Sequence, residues 1–202
     1  MKAARIVALL LSVTLLAACG TVSAPPRDQF HRLVPQELTV RPGGEPAGTS
    51  PIVVPPFSAS GLHGQRALLY AAADGTTLEQ YGYHFWIDSP RLLLQRGLAA
   101  HLRHALDARV MNEPGPREGV IVRGHVHRFE RVADQNGADA AVVSLGFDVF
   151  ESGETVPALS RTIERRKELA GDDIAGYVAA TSAATREIFD EFARDLAQLV
   201  VR

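Results

Sequence analysis

His125 and His127 stand two apart in the run Arg123-Gly124-His125-Val126-His127-Arg128-Phe129. Residues two apart on a strand project to one face, and two imidazoles so placed are half of a site for a soft divalent ion. The pattern stops at two ligands, and Arg123 and Phe129 are expected on that same face, where a guanidinium opposes a metal. The pair therefore reads as structural or surface histidines. His101-x-x-His104 lies beside a leucine stripe and lacks a third ligand in sequence, so it reads the same way. Glu151-x-x-Glu154 has the look of an acid pair for hydrolysis, but Ser152-Gly153 between them marks a solvated turn. Arg165-Arg166-Lys167 could meet lipid phosphate or an acidic partner, since guanidinium forks match phosphate oxygens; the plainer reading is a charged guard on an edge strand. Trp86, the only tryptophan, is either a core plug or an anchor for a partner. Gly-x-Ser-x-Gly, the phosphate loop, Gly-x-Gly-x-x-Gly and His-Glu-x-x-His do not occur. No catalytic residue, metal ligand or cofactor is assigned.

The remaining chemistry-bearing residue is Cys19, the single cysteine. Before it come Lys2 and Arg5, then an apolar run from Ile6 to Leu16 and the small residues Ala17-Ala18. The run is too short to cross a hydrocarbon core, which takes about 20 apolar residues, and it reads as a signal peptide over residues 1–18. Leu16-Ala17-Ala18-Cys19 resembles the lipobox of bacterial lipoproteins. That resemblance implies cleavage before Cys19, diacylglycerol on its thiol and an acyl chain on its new amino group. Several chains hold a bilayer almost permanently at ~0.8 kcal/mol per buried CH2. Gly20 in place of Asp implies, by resemblance to enterobacterial sorting, the outer membrane. With one cysteine the mature fold contains no internal disulfide, and its stability must come from packing. Removal of Lys2 and Arg5 takes the formal charge from -2 to -4, which gives no electrostatic case for nucleic acid.

Residues 20–28 are small, polar and proline-bearing, so 19–29 reads as a lipidated tether and 30–202 as one domain. Residues 41–50 read as a loop. Strands are expected at 30–34, 51–55 (short or at an edge because of its prolines) and 66–71. Over 77–87, Tyr81, Tyr83, Phe85 and Ile87 are expected on one face, against Gln80, Gly82 and His84. Ser89-Pro90 starts a helix whose leucines at 94, 98, 102 and 106 form a stripe up to about Val110, with Asn112-Glu113-Pro114-Gly115-Pro116 as its stop. Three strands follow at 119–132, 138–151 and 158–169, the first two joined through Asn136-Gly137. The middle strand should bury Ala141, Val143, Leu145, Phe147 and Val149 and wet Ser144, Gly146 and Asp148. Asp172-Asp173 opens a final helix that packs through Ile174, Val178, Thr181, Thr185, Ile188, Phe192, Leu196 and Leu199. The expected fold is α+β, a mostly antiparallel sheet with two amphipathic helices on one face.

This order of features resembles the auxiliary lipoproteins of ABC-type transport systems, the PqiC/YmbA-like group. The resemblance rests on Phe30-His31-Arg32-Leu33, Ile52-Val53-Val54-Pro55-Pro56, Leu68-Leu69-Tyr70, Trp86 to Pro90 with its leucine helix, and Gly124 to Phe129. His84-Phe85 before Trp86, with Ile87-Asp88-Ser89 after it, departs from it, since relatives more often carry a small residue and an acid next to the tryptophan. It implies a docking or receptor module, without ATPase chemistry of its own, that works with an MCE-domain protein and an ABC permease and ATPase in lipid transport. Self-association around that partner is a further expectation, as is detergent sensitivity on its loss. Two other classes stay open: an envelope hydrolase or metal-dependent enzyme using His125, His127 and Glu151, and an assembly factor for an outer-membrane protein.

Overall fold

The computed structural model describes residues 26–33, 51–72, 74, 76–113, 119–133 and 139–200. The strands are β1 (Gln29–His31), β2 (Ile52–Val53), β3 (Ser58–Ala59), β4 (Ala67–Ala71), β5 (Leu78–Trp86), β6 (Val110–Met111), β7 (Val120–Ala133), β8 (Asp139–Phe150) and β9 (Leu159–Glu168). A 3-10 turn covers Gly61–Gly64, and the helices are α1 (Pro90–Ala105) and α2 (Ile174–Val200).

β7 is the spine. One edge pairs along its length with antiparallel β8, from Ile121 opposite Phe150 to Ala133 opposite Asp139, and β9 continues the meander. The other edge takes β2, β3 and β4 one after another, all parallel to it. β1 against β5 and β2 against β6 are also parallel. The sheet is thus mixed, not mostly antiparallel as expected. The reason is a crossover: β4 and β5 form an antiparallel pair, and α1 carries the chain back so that β7 enters parallel to β4. Turn residues announce the meander, whereas nothing local announces which earlier strands lie alongside it.

α1 begins with Pro90 at its first turn, where the missing N–H costs nothing. Leu94, Leu98 and Leu102 are wholly buried, so the four-residue stripe is the packed face. The helix ends at Ala105, short of the expected stop. Asp107 takes a positive φ of 48°, and Val110 gains more as a buried strand residue beside Ile52 than as a further helical turn. Arg103 donates to the Val110 carbonyl at 3.0 Å and ties the helix end to β6. At the start of α2, Asp173 Oδ1 accepts the Gly176 N–H at 2.7 Å, an N-cap that satisfies an orphan donor.

Both helices share one core with the sheet. Phe192 of α2 stacks on Phe147 of β8 at 4.1 Å between centroids, a contact of about 0.5–1.5 kcal/mol beyond its area. Trp86 packs on Phe129 at 5.2 Å and Tyr177 at 6.3 Å. Thr181 and Thr185, buried in the middle of α2, donate their hydroxyls to the carbonyls one turn back, Tyr177 and Thr181, which lets polar residues sit inside without orphan groups.

Two face assignments are corrected. In β5, Tyr83 has φ 62° and the register slips between Ala67 and Leu69. The alternation reverses there: Tyr81 stays against Tyr177 and His84, Trp86 is fully buried, and Tyr83 and Ile87 are exposed. In β8, Ser144 and Gly146, expected to be wet, are buried while Asp148 stays partly exposed; on that face Val142 and Ser144 are nearly inaccessible. Their cross-strand neighbours are Glu130 and Arg166, and Arg128 and Glu164, whose long side chains roof the small ones. Arg128 bonds Glu130 at 2.6 Å and approaches Glu164 at 3.8 Å.

Candidate functional site

The histidine pair of β7 sits at an irregularity. His127 is the extra residue of a β-bulge between Val126 and Arg128, and its ring lies over Gly146, where a Cβ would come within 2.8 Å of Nε2. The bulge also turns Phe129 into the core, at 1% exposure, so Arg123 and Phe129 do not share a face as expected. Arg123 lies instead over the Phe150 ring at 4.5 Å. The rings of His125 and His127 are 4.5 Å apart.

His125 holds a serine on each nitrogen: Ser58 Oγ at 2.7 Å from Nδ1 and Ser60 Oγ at 2.8 Å from Nε2. Burial first, and the neighbouring His127 second, lower its pKa and keep it neutral. A neutral imidazole has one N–H and one lone pair, so one serine donates and the other accepts. A serine against a histidine is the first requirement of an activated nucleophile, but the second nitrogen there normally meets a carboxylate that orients the base. Here it meets Ser60. The arrangement joins β3 and the turn after it to β7. Among the described residues no group of three His, Cys, Asp or Glu side chains could hold a metal ion.

His63 accepts the Phe129 N–H on Nδ1 at 3.3 Å, which places its proton on Nε2, 3.5 Å from Glu130 Oε2. Burial lowers its pKa against the opposing pull of Glu130. His101 is buried against Phe189 at 6.0 Å, with Nε2 3.3 Å from Asp190 Oδ1. That approach lacks hydrogen-bond geometry, and burial dominates to lower its pKa. His104 is exposed, so the two histidines of α1 do not converge. Glu151 and Glu154 are exposed at a turn closed by Glu154 N–H on the Glu151 carbonyl. Within the basic cluster, Arg165 and Lys167 face α2: Arg165 pairs with Glu191 and Glu187, and Lys167 reaches Glu187 at 2.5 Å. Arg166 is exposed on the opposite face. Trp86 is wholly buried and presents no surface to a partner. Cys19 and most of the tether lie outside the described residues.

Sequence reasoning misses a feature at the other edge of the sheet. β1 pairs in parallel with the end of β5, Phe30 opposite Phe85 and His31 opposite Trp86. His31 Nε2 lies 3.1 Å from His84 Nδ1, with the rings stacked. Burial, then His84, lowers the pKa of His31. One ring donates and the other accepts, so a single proton serves the contact. On the outer face Phe30 meets Phe85 at 5.9 Å, and Phe30, Tyr83 and Ile87 are all exposed. Arg66 lies over Phe30 at 5.3 Å while its Nε donates to the Trp86 carbonyl. The available signal is the dipeptide His84-Phe85: each of its residues meets its own kind on β1.

A curled mixed sheet backed by two helices defines an α+β domain. The chain belongs to the family of ABC-type transport auxiliary lipoprotein components, whose model matches residues 25–193. Among solved structures it is similar to an uncharacterised protein (TM-score 0.69, 14% identity, covering 85% of this chain and 99% of that one). It is also similar to a protein from Xanthomonas campestris (TM-score 0.64, 17% identity, covering 90% and 95%). At these identities the likeness shows the fold. A comparison with curated proteins found no match. Among the described residues no helix is long and apolar enough to cross a membrane.

Proposed function

We propose that the chain is a docking module, anchored through lipid on Cys19 to the periplasmic face of the outer membrane, for an ABC-type system that moves lipid by way of an MCE-domain protein, a permease and an ATPase. The observation that carries this reading is the family match over residues 25–193, which begins just after the lipobox-like Leu16-Ala17-Ala18-Cys19 and takes in nearly all the domain. The histidines support docking over catalysis: His125 engages both nitrogens with serines, and His63 is held between a backbone N–H and Glu130. The module contributes shape and attachment, while nucleotide chemistry belongs to the transporter.

The test is crosslinking of the lipidated protein in its own cells, followed by mass spectrometry. An MCE-domain protein or its permease among the captured partners is the expected result; reproducible capture of a β-barrel assembly protein instead would overturn it. The anchor has its own assay. Cys19→Ala is expected to abolish incorporation of labelled palmitate and to release the protein from the outer-membrane fraction. Retention of both would refute lipidation at this residue.

A further inference from the structure

Four large apolar side chains are exposed among the described residues: Phe30 (54%), Tyr83 (45%), Ile87 (36%) and Val156. The first three belong to β1, β5 and the residue that follows β5, and Phe85 lies beneath Phe30. Scattered exposed apolar groups need no explanation, but a contiguous group with a polar rim marks a contact surface. The rim here is mostly basic. Arg66 covers Phe30, Arg27 and Arg32 are exposed on either side of β1 together with Asp28, and Asp88 is taken by Arg96 at 2.7 Å.

We infer that this β1–β5 patch is a membrane seat, with Phe30, Tyr83 and Ile87 entering the headgroup layer of the anchoring leaflet and Arg32 and Arg66 meeting lipid phosphate. The inference rests on the proposed lipidation of Cys19 and adds to it an orientation for the domain. The position of the anchor decides the occupant. Phe30 is eleven residues after Cys19, so even at full extension, ~3.3–3.6 Å per residue, the patch stays within about 40 Å of the anchor. At that span the leaflet is presented at high effective concentration, and contacts too weak to bind a free protein become occupied. The composition fits the layer: aromatic rings favour the boundary between headgroups and acyl chains, and guanidinium groups favour anionic phosphate beside it.

The experiment uses the full chain, processed and lipidated in cells and reconstituted in vesicles of phosphatidylethanolamine and phosphatidylglycerol. Because Cys19 is the only cysteine and its thiol is consumed by the lipid, Ile87→Cys supplies a single free thiol for an environment-sensitive fluorophore. Val156→Cys, at the turn between β8 and β9, supplies the remote site. Buried Trp86 reports that each variant is folded. Brominated phospholipid is expected to quench the label at position 87 several-fold more than at 156. Adding Phe30→Ser, or omitting phosphatidylglycerol, should reduce the quenching at 87. Equal, water-like emission at both positions in protein that floats with the vesicles overturns the seat and leaves the anchor standing. A label at 87 that is shielded from water yet unquenched by brominated lipid also overturns it, in favour of a protein partner or a second copy on this edge. Protein that fails to float refutes the anchor, and the seat falls with it.

Discussion

Gly124→Ala should be one of the most damaging single-methyl additions in this domain. Gly124 has no positive φ to justify it; its reason is space. A Cβ there would lie 2.3 Å from Phe57 Cζ and 2.4 Å from both Cε atoms. Carbon atoms in contact normally stand about 3.5–4.0 Å apart, so the overlap exceeds ~1 Å at three atoms at once. The ring has little room to retreat. Phe57 is fully buried, its ring meets Phe147 edge-on at 6.2 Å, and Arg91 holds its carbonyl at 2.7 Å. Overpacking costs typically about 1–3 kcal/mol, and the pinned ring puts this case at about 3. For a domain of this size that lowers Tm by about 6–12 °C, at roughly 2–4 °C per kcal/mol. Phe57→Ala alone should cost about 3–5 kcal/mol through the cavity it leaves. In the double variant the new methyl enters that cavity, so the double should be no less stable than Phe57→Ala alone, a coupling of about 3 kcal/mol, the whole cost of Gly124→Ala. Urea unfolding followed by Trp86 fluorescence measures all three. A cost for Gly124→Ala below about 1 kcal/mol, or full additivity with Phe57→Ala, would refute the account of how β7 receives the chain between β2 and β3.

Acid should loosen the fold through its histidines before its carboxylates. His31, His63, His101 and His125 all have pKa values lowered, by burial first in each case. The unfolded chain binds these protons near pH 6.5, before the folded chain does, so the stability is fully present above about that pH and is lost as pH falls through the lower folded values. The urea midpoint should therefore drop between about pH 7.5 and 5.5, a window that brackets the unfolded value; a flat or rising midpoint would refute the assignment of neutral rings. The ladder between β9 and α2 gives a separate prediction. Glu191 pairs with Arg161 at 3.3 Å and with Arg165, and exposed pairs are worth about 0.2–1 kcal/mol each. Glu191→Lys should cost about 1–2 kcal/mol at low salt by losing both pairs and adding repulsion, and Arg165→Glu in the same chain should recover part of it. The effect should shrink in about 1 M salt, where the screening length is about 3 Å; a loss indifferent to salt would point to packing instead.

The parts of the fold legible in the sequence are those whose signals are local. Leucines four apart define α1, Asp173 caps α2, and three long strand-forming runs define the β7–β9 meander, although Asn136-Gly137 lies outside the described residues. The departures share a different cause. The proline-rich stop points to a longer α1, but Val110 and Met111 are drawn out of the helix by β2, a partner from much earlier in the chain. The faces of β5 follow a regular alternation only as far as Tyr83, and one positive φ reverses them. In β8, Ser144 looks like a wet residue because it is small and polar; the side chains that cover it come from β7 and β9. Each departure is a tertiary neighbour overriding a correct local pattern.

The site is less legible than the fold, for the same physical reason carried one step further. His125 and His127 stand out because their spacing suggests chemistry, yet spacing assumes an unbroken strand, and a bulge lies between them. Ser58 and Ser60, the residues that occupy His125, are far away in sequence and carry no motif. The apolar edge is hidden for the opposite reason: Phe30, Phe85 and Ile87 look like ordinary core residues, and exposure is decided only when Tyr83 turns the strand and β1 docks beside it. His84-Phe85 is the dipeptide whose residues meet His31 and Phe30 of β1. A substitution at that place changes which groups β1 can pair with, and β1 is where the lead from Cys19 enters the domain. On the proposed anchoring, this edge is therefore the edge nearest the membrane, where a change of aromatic and histidine content would alter how the domain sits without disturbing the Trp86 core behind it.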